Sequence, residues 1–344
     1  MTEQALGPLM IDIEGSTLTE LDRERLCHPL VGGIILFTRN YTDPEQLTAL
    51  TAAIHALRQP PLLIAVDHEG GRVQRFRQGF TRLPAMARLG QAWDEDPERA
   101  LNLSRQVGYV LAAELRARGV DFSFTPDLDL DYGRSSVIGS RAFHRRPEAV
   151  MALAGALIAG LEAGGMGACG KHFPGHGWVE ADSHVAVPVD ERSLEALQED
   201  IRPYRELPLD AVMPAHVIYP EIDDKPSGFS KKWHAYLRND VKFDGVVFSD
   251  DLSMAGARVA GDTLARVEAA YQAGCDMLLL CNAPDKVGEV LARWQVRWQV
   301  ERDPLRSARL TRLLPPAPAL DWSALQASPD YQSAVTAIID FAER

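Results

Sequence analysis

Residues 62–75 read LLIAVDHEGGRVQR, and this segment shows the pattern on which the fold interpretation rests. An apolar run suited to a buried strand leads directly into a turn of acids, arginines, a histidine and two glycines. The same order of apolar run, polar turn and helical periodicity recurs along the chain. It predicts eight strands: Pro8–Ile13, Gly33–Phe37, Leu62–Val66, Phe122–Leu128, Gly167–Lys171, Ala211–Ala215, Gly245–Ser249 and Asp276–Cys281.

Eight strands alternating with helices predict an α/β fold, most simply a single-domain (β/α)8 TIM barrel with its chemistry at the carboxyl ends of the strands. A doubly wound open sheet is the alternative, but the phosphate-binding fingerprints GxGxxG and GxxxxGK are absent after the first strand. No long linker divides the chain, although Leu314–Pro318 marks the start of an irregular tail. We therefore expect residues 1–318 to form the barrel and residues 319–344 a C-terminal extension packed on it.

The charge balance excludes some partners. The 344 residues carry 36 Lys+Arg and 48 Asp+Glu, a formal net charge of −12, so the chain lacks the diffuse basic field that attracts nucleic acids and anionic membranes. The four cysteines have no CxxC spacing, and neither a secretory signal nor a membrane-spanning apolar run is visible. We expect a cytoplasmic protein that binds neither nucleic acid nor membrane.

Acidic residues gather after the third and fourth predicted strands. Asp67, Glu69, Arg72 and Arg75 follow the third strand, and an ion-paired rim is one interpretation of this group. After the fourth strand, aspartates at positions 127, 129 and 131 alternate and therefore share one face. Their mutual repulsion requires solvent, an arginine or a ligand, and a solvated turn is the simpler interpretation for at least two of them.

A histidine-rich loop follows the fifth predicted strand. Residues 171–177 read KHFPGHG and are followed by Glu180, Asp182 and His184. The segment has no apolar periodicity, and a long loop of this kind in a compact domain is usually functional. Asp182 lies two residues before His184, a spacing that could orient the imidazole and fix its tautomer. The alternative is a turn begun by the aspartate, with an exposed histidine.

Two adjacent acids, Asp250 and Asp251, end the seventh predicted strand after a continuous apolar run. A carboxylate there points into the mouth of a barrel and can act as nucleophile, base or metal ligand. Successive strand residues face opposite ways, so only one of the two is expected to face a substrate. The residues alone do not identify which.

Three classes of function use these parts. A sugar-cleaving enzyme would need a carboxylate nucleophile and a second group as acid/base, whereas a carbohydrate-binding barrel would need neither. A metal-dependent hydrolase is disfavoured by the neighbouring Arg and Lys residues, whose charges oppose a metal ion. Its ligands would be His172, His176, His184, His216 and Asp250.

Four motifs carry a family resemblance. The strings IAVDHEGGRVQRF, SVIGSRAF, KHFPGHG followed by DSH, and GVVFSDDLSM resemble, in this order, the NagZ-type bacterial β-N-acetylglucosaminidases of glycoside hydrolase family 3. The resemblance runs from the first predicted strand to about Asn282. One local departure is the segment 178–181 between two of the motifs, which puts loop conformation and leaving-group contacts in doubt.

The resemblance implies site residues. It makes Asp250 the nucleophile and His184 the acid/base, with Asp182 as the partner that orients His184. It also implies that five further residues hold the hydroxyls of a terminal N-acetylglucosamine: Asp67, Arg75, Arg141, Lys171 and His172.

The resemblance also implies a function. The expected enzyme is a monomer without cofactor or metal that removes N-acetylglucosamine from 1,6-anhydro-muropeptides during cell-wall recycling. The expected mechanism is double displacement with retention. Transfer of the sugar to phosphate instead of water stays open, so a phosphorylase is the closest alternative.

Overall fold

The computed structural model describes residues 6–180, 187–300, 303–315 and 317–343. A strand lies within each of the eight predicted segments or overlaps it, and two short antiparallel hairpins add four further strands to the described part of the chain. In chain order the strands are β1 (Leu9–Ile11), β2 (Val31–Leu36), β3 (Leu63–Val66), β4 (His68–Gly70), β5 (Val73–Gln74), β6 (Phe122–Ser123), β7 (Cys169–Phe173), β8 (Ala211–Pro214), β9 (Ile218–Tyr219), β10 (Asp223–Pro226), β11 (Val246–Val247) and β12 (Leu278–Leu280).

The parallel strands form two sheets in the described residues, with the orders β12-β1-β2-β3-β6 and β7-β8-β11. Isolated parallel bridges connect the sheets at Asp127–Lys171 and at Phe248–Met277. The predicted single closed sheet is therefore not found. Pro126 has no N–H with which to continue the hydrogen-bond ladder beyond β6. Each of the two places where the sheets meet is bridged by a single residue pair, which does not make a continuous ladder. The α/β architecture of parallel strands with intervening helices is confirmed.

Most of the described helices, though not all, begin at a residue whose side chain caps the first turn. Asp43 accepts a hydrogen bond from the backbone N–H of Gln46 at 2.8 Å, and Pro44 occupies the first helical position.

None of the helices in the described ranges is long and apolar enough to span a membrane. They are α1 (Glu20–Leu26), α2 (Pro44–His55), α3 (Met86–Glu95), α4 (Pro97–Ala117), α5 (Pro147–Ala163), α6 (Gln198–Glu206), α7 (Lys231–Asn239), α8 (Thr263–Ala273), α9 (Pro284–Val300), α10 (Pro304–Arg312), α11 (Trp322–Ala327) and α12 (Pro329–Ala342).

The apolar core has two parts because alternate strand residues face opposite sides. On β3, Leu63 and Ala65 belong to a cluster made mainly of inward-facing strand residues, whereas Ile64 packs with the helices. Leu310 and Leu313, at the end of α10, join the inward-facing cluster. The carboxyl ends of the strands carry the polar side chains of the candidate site.

The C-terminal segment contacts α4 and its neighbours. Tyr331 donates a hydrogen bond to the Glu114 carboxylate at 2.7 Å, and Arg116 donates to the backbone carbonyl of Ala317 at 2.9 Å. The Arg118 guanidinium lies 4.3 Å from the centre of the Trp322 ring. The division of the chain at residue 318 stays a prediction.

Candidate active site

A cavity of about 360 Å³ opens at the carboxyl ends of the parallel strands. Its volume lies in the range of small-molecule sites. Six of the eight predicted site residues border it, namely Asp250 and the five residues expected to hold the sugar hydroxyls, although they come from distant parts of the chain. The five are Asp67, Arg75, Arg141, Lys171 and His172.

Glu69 is the centre of a buried ionic network beside this cavity. Its carboxylate accepts two hydrogen bonds from Arg141, both of 2.9 Å, and lies 2.6 Å from the Lys171 ammonium. Only 2% of its side chain is exposed. Burial alone would raise the pKa of Glu69, but the charges of Arg141 and Lys171 outweigh it and hold the pKa below the usual range. Glu69 therefore stays ionised and fixes both cations.

Asp67 joins the same network at the end of β3. Its carboxylate accepts from the Lys171 ammonium at 3.1 Å and from the Arg75 guanidinium at 3.4 Å. The interpretation of an ion-paired rim is therefore confirmed for Asp67 and Arg75. The side chain of Asp67 is also about a quarter exposed, which leaves carboxylate surface available to a ligand.

Asp129 fixes the orientation and the tautomer of His172. The imidazole Nδ1 lies 2.7 Å from the Asp129 carboxylate, and its Nε2 lies 3.4 Å from an Arg141 guanidinium nitrogen. Because Arg141 can only donate, Nε2 accepts and Nδ1 carries the proton. Burial and the neighbouring Arg141 lower the pKa of His172 to about 4, which agrees with a neutral ring.

Two of the three clustered aspartates are buried, so the interpretation of a solvated turn for at least two of them is wrong. Asp127 and Asp129 are each 1% exposed, and burial raises the pKa of both carboxyls. Arg141 lies 3.4 Å from Asp127 and compensates part of the charge that solvent does not reach. Asp131 alone forms a turn of the expected kind, where it accepts from the N–H of Gly133 at 2.9 Å.

The adjacent acids Asp250 and Asp251 have different surroundings. The Asp251 carboxylate accepts from the N–H and the hydroxyl of Ser253, at 2.9 and 2.7 Å, and from the N–H of Cys281 at 3.2 Å. Burial raises the pKa of Asp251 to about 6. Asp250 accepts from the backbone N–H of Asp251 at 2.8 Å, and both acids are half-buried and border the cavity. The three hydrogen bonds to Ser253 and Cys281 show that Asp251 stabilises the local loop structure.

Two of the predicted site residues, Asp182 and His184, lie outside the described residues. Of the other histidines in the loop and nearby, His176 donates its backbone N–H to Asp129 at 2.6 Å. His216 stacks on Phe229 with ring centres 5.4 Å apart. Its Nε2 lies 3.1 Å from the backbone carbonyl oxygen of Asp251.

Among the described residues, the donor atoms that approach each other closely share only His172 with the ligand set of the metal-dependent alternative. Among the described His, Cys, Asp and Glu side chains, one group brings three donors within 4.8 Å of each other, namely Asp127, Asp129 and His172. Its atoms already contact each other, and Arg141 lies against Asp127 and His172 at 3.4 Å. A metal ion there would face this fixed positive charge, so the donor set is a poor fit for one.

The positioning role of Glu69, Asp127 and Asp129 is not evident from the sequence. The spacing of two between Asp127 and Asp129 predicted a shared face, but a solvated turn explained it equally well. Their burial depends on Arg141 and His172, which reach them from other parts of the chain. Asp129 could have been found only through a contact 43 residues away in sequence.

Comparison with known proteins identifies the family of the chain. The profile of the Glycosyl hydrolase family 3 N terminal domain matches residues 5–305. The chain is 59% identical over 334 residues to a beta-hexosaminidase of Bordetella avium, a match that covers 95% of this chain and 94% of that protein. A beta-hexosaminidase of Methylobacillus flagellatus is 56% identical over 335 residues, covering 96% and 95% of the two chains.

Solved structures are similar over the same length. The crystal structure of NagZ from Neisseria gonorrhoeae in complex with N-trifluoroacetyl-D-glucosamine superimposes with a TM-score of 0.93 at 49% identity and covers 99% of each chain. The structure of LpqI from M. tuberculosis gives a TM-score of 0.79 at 30% identity, covering 92% of this chain and 93% of that one. The chain therefore belongs to glycosyl hydrolase family 3 and is a glycoside hydrolase.

Proposed function

We propose that the protein is a retaining exo-β-N-acetylglucosaminidase that releases terminal N-acetylglucosamine from 1,6-anhydro-muropeptides in peptidoglycan recycling. One observation carries the proposal: Asp250 borders the same cavity as the network of Asp67, Arg75, Arg141 and Lys171. The ligand named in the Neisseria structure, an N-acylated glucosamine, supports this sugar class.

The network suits a sugar because it offers donors and acceptors side by side. Each hydroxyl of a sugar can donate one hydrogen bond and accept two. Asp67 provides acceptor oxygens, and Arg75 and Lys171 provide donors within 3.4 Å of that carboxylate. A ring with adjacent hydroxyls can therefore bridge the carboxylate and the cations. The existing ion pairs hold these groups in place before the sugar arrives.

In the proposed mechanism, Asp250 attacks the anomeric carbon and forms a covalent glycosyl ester as the bond to the leaving oxygen breaks. His184 donates a proton to that oxygen and then takes one from the water that hydrolyses the ester. An imidazole with a pKa near 6.5 can do both at neutral pH. The roles of His184 and of its partner Asp182 rest on the family motif.

The first experiment measures release of nitrophenol from a nitrophenyl N-acetyl-β-glucosaminide. We expect turnover that a chelator does not affect and that Asp250→Ala nearly abolishes. Loss of activity on chelation, restored by zinc, would instead support a metal-dependent hydrolase. Tight sugar binding without turnover would support a binding protein.

Phosphate is the second candidate acceptor, and the four cations that border the cavity favour testing it: Arg72, Arg75, Arg141 and Lys171. Product analysis with and without phosphate separates the two reactions. A glycosidase gives free N-acetylglucosamine in both cases, whereas a phosphorylase gives the sugar 1-phosphate when phosphate is present.

We also propose that the enzyme works in the cytoplasm, as its cysteine pattern suggested, and as a monomer, as the family resemblance implies. Cell fractionation and light scattering of the purified protein test these two points. Activity confined to the envelope fraction, or a mass twice that of the chain, would contradict them.

A further inference from the structure

Among the described residues, one arginine at the rim of the cavity, Arg72, has no carboxylate partner. Three of the four bordering cations are ion-paired: Arg75 with Asp67 at 3.4 Å, and Arg141 and Lys171 with Glu69 at 2.9 and 2.6 Å. No acid among the described residues lies within ion-pair distance of Arg72. Its charge is therefore available to an anionic ligand.

Backbone contacts hold Arg72 at this position. Its guanidinium donates through Nη2 to the carbonyl oxygens of Val137 and Ser136, and the second of these distances is 3.5 Å. Gly71 directs the chain there with a φ of +55°, and an added Cβ would lie 2.8 Å from Ala85. No described residue accepts from Nε or Nη1 of Arg72, so these donors can meet a ligand.

The exposure of the four cations places Arg72 at the outer end of the site. The side chains of Lys171 and Arg141 are 3% and 10% exposed, and Arg75 is 31% exposed. Arg72 is exposed to solvent. A sugar bound to the inner network leaves its aglycone, the leaving group, on the outer side, where Arg72 lies.

We propose that Arg72 forms an anion subsite that binds a carboxylate of the leaving group and so selects acidic over neutral aglycones. This inference rests on the proposed function. An arginine fork matches a carboxylate in two parallel hydrogen bonds. The chain carries a net charge of −12, which repels acidic substrates in general. A cation at the rim offsets this repulsion locally and attracts an anionic leaving group.

The test compares kcat/KM for substrates that share the sugar and differ in the charge of the leaving group. The acidic substrate is N-acetylglucosaminyl-1,6-anhydro-N-acetylmuramic acid, and the neutral ones are N,N′-diacetylchitobiose and the nitrophenyl glycoside. We expect Arg72→Gln to lower kcat/KM about tenfold for the acidic substrate. For both neutral substrates the change is expected to be less than twofold. Arg72→Lys keeps the charge without the fork and is expected to fall between wild type and Arg72→Gln.

The matched control is an arginine of the same segment that does not contact Arg72. Arg77 is unsuitable, because its Nη2 donates to the Arg72 carbonyl oxygen at 3.4 Å, so the control is Arg82, an exposed arginine ten residues beyond Arg72 that does not border the cavity. Arg82→Gln removes the same charge and is expected to leave the ratio of acidic to neutral kcat/KM unchanged. Urea unfolding of each variant verifies that it is folded.

Other outcomes overturn the proposal. An equal loss on all three substrates, no loss at all, or the same selectivity change in Arg82→Gln would refute a carboxylate subsite at Arg72. A raised KM for phosphate in sugar 1-phosphate formation, with unchanged aglycone selectivity, would assign the anion to the acceptor. Failure of the proposed function itself is distinguishable, because wild type would then not cleave the neutral nitrophenyl substrate.

Discussion

Replacing Glu69 with glutamine tests whether the buried network holds the sugar-binding cations. Glu69 accepts two hydrogen bonds from Arg141 and contacts Lys171 at 2.6 Å, with 2% of its side chain exposed. Glutamine has nearly the same shape but removes the charge, and its NH₂ group must face one of these donors. Removing one partner of a buried ionic pair costs about 3–5 kcal/mol, and we expect a loss of this size in the free energy of unfolding.

The assay is urea unfolding at pH 7, with Glu289→Gln as the matched control. Glu289 also lies between two cations, Arg293 at 2.6 Å and Lys286 at 3.6 Å, but its side chain is 39% exposed. Such exposed pairs contribute about 0–1 kcal/mol, so the control is expected to lose no more than that. A loss below 1 kcal/mol for Glu69→Gln would refute the role given to the network.

The difference in the free energy of unfolding between wild type and Glu69→Gln should also depend on pH, which provides a second check. The pKa of Glu69 is lowered in the folded protein, so its stabilising effect is fully present above the unfolded value of about 4.3. It is lost as the pH falls through the lower folded value. The difference between wild type and Glu69→Gln is therefore expected to be constant from pH 6 to 8 and to shrink in acid. A difference that grows in acid would contradict this assignment.

Two further predictions follow from other buried groups. Asp129→Asn must place an NH₂ group against a donor of His172 or His176, so we expect kcat/KM to fall about 10- to 100-fold through loss of a charge-assisted hydrogen bond. Unchanged kinetics in the folded variant would argue against ring positioning. Burial, with Arg238 nearby, lowers the pKa of His234 to about 4, so unfolding adds a proton between pH 4 and the ordinary value of about 6.5. The free energy of unfolding is therefore expected to fall as the pH falls through this range. His234→Gln should reduce the slope of the unfolding free energy against pH by about 1.4 kcal/mol per pH unit. An unchanged slope, measured by urea unfolding, would refute this prediction.

The sequence predicted the strands well because each apolar run is bounded by turn residues. Every one of the eight predicted strands has a counterpart, and the residues after β3 and within β7 border the same cavity. Closure of the sheet was not predictable in the same way. Closure depends on the number of paired residues between the two sheets, beyond Pro126 and beside Phe248. A local sequence pattern does not determine that number.

The candidate site was predictable as a list of residues but not as a network. Asp67, Arg75 and Lys171 were expected at the site, and the structure brings them together at 3.1 to 3.4 Å. The burial of Glu69 was not expected, because it requires Arg141, which follows 72 residues later, to close over it. Long-range pairing of this kind sets the charge state of a side chain and cannot be inferred from its neighbours in sequence.

The most direct test of the proposed mechanism is to identify the residue that becomes glycosylated during turnover. A ring-fluorinated N-acetylglucosaminyl fluoride slows hydrolysis of the covalent intermediate, so the intermediate accumulates and tandem mass spectrometry of a digest can locate it. We expect one ring-fluorinated N-acetylglucosaminyl adduct on Asp250, formed with loss of the anomeric fluoride, and none on Asp251 or in Asp250→Ala. Turnover with inversion and no adduct, or an adduct on Asp251, would contradict the proposal.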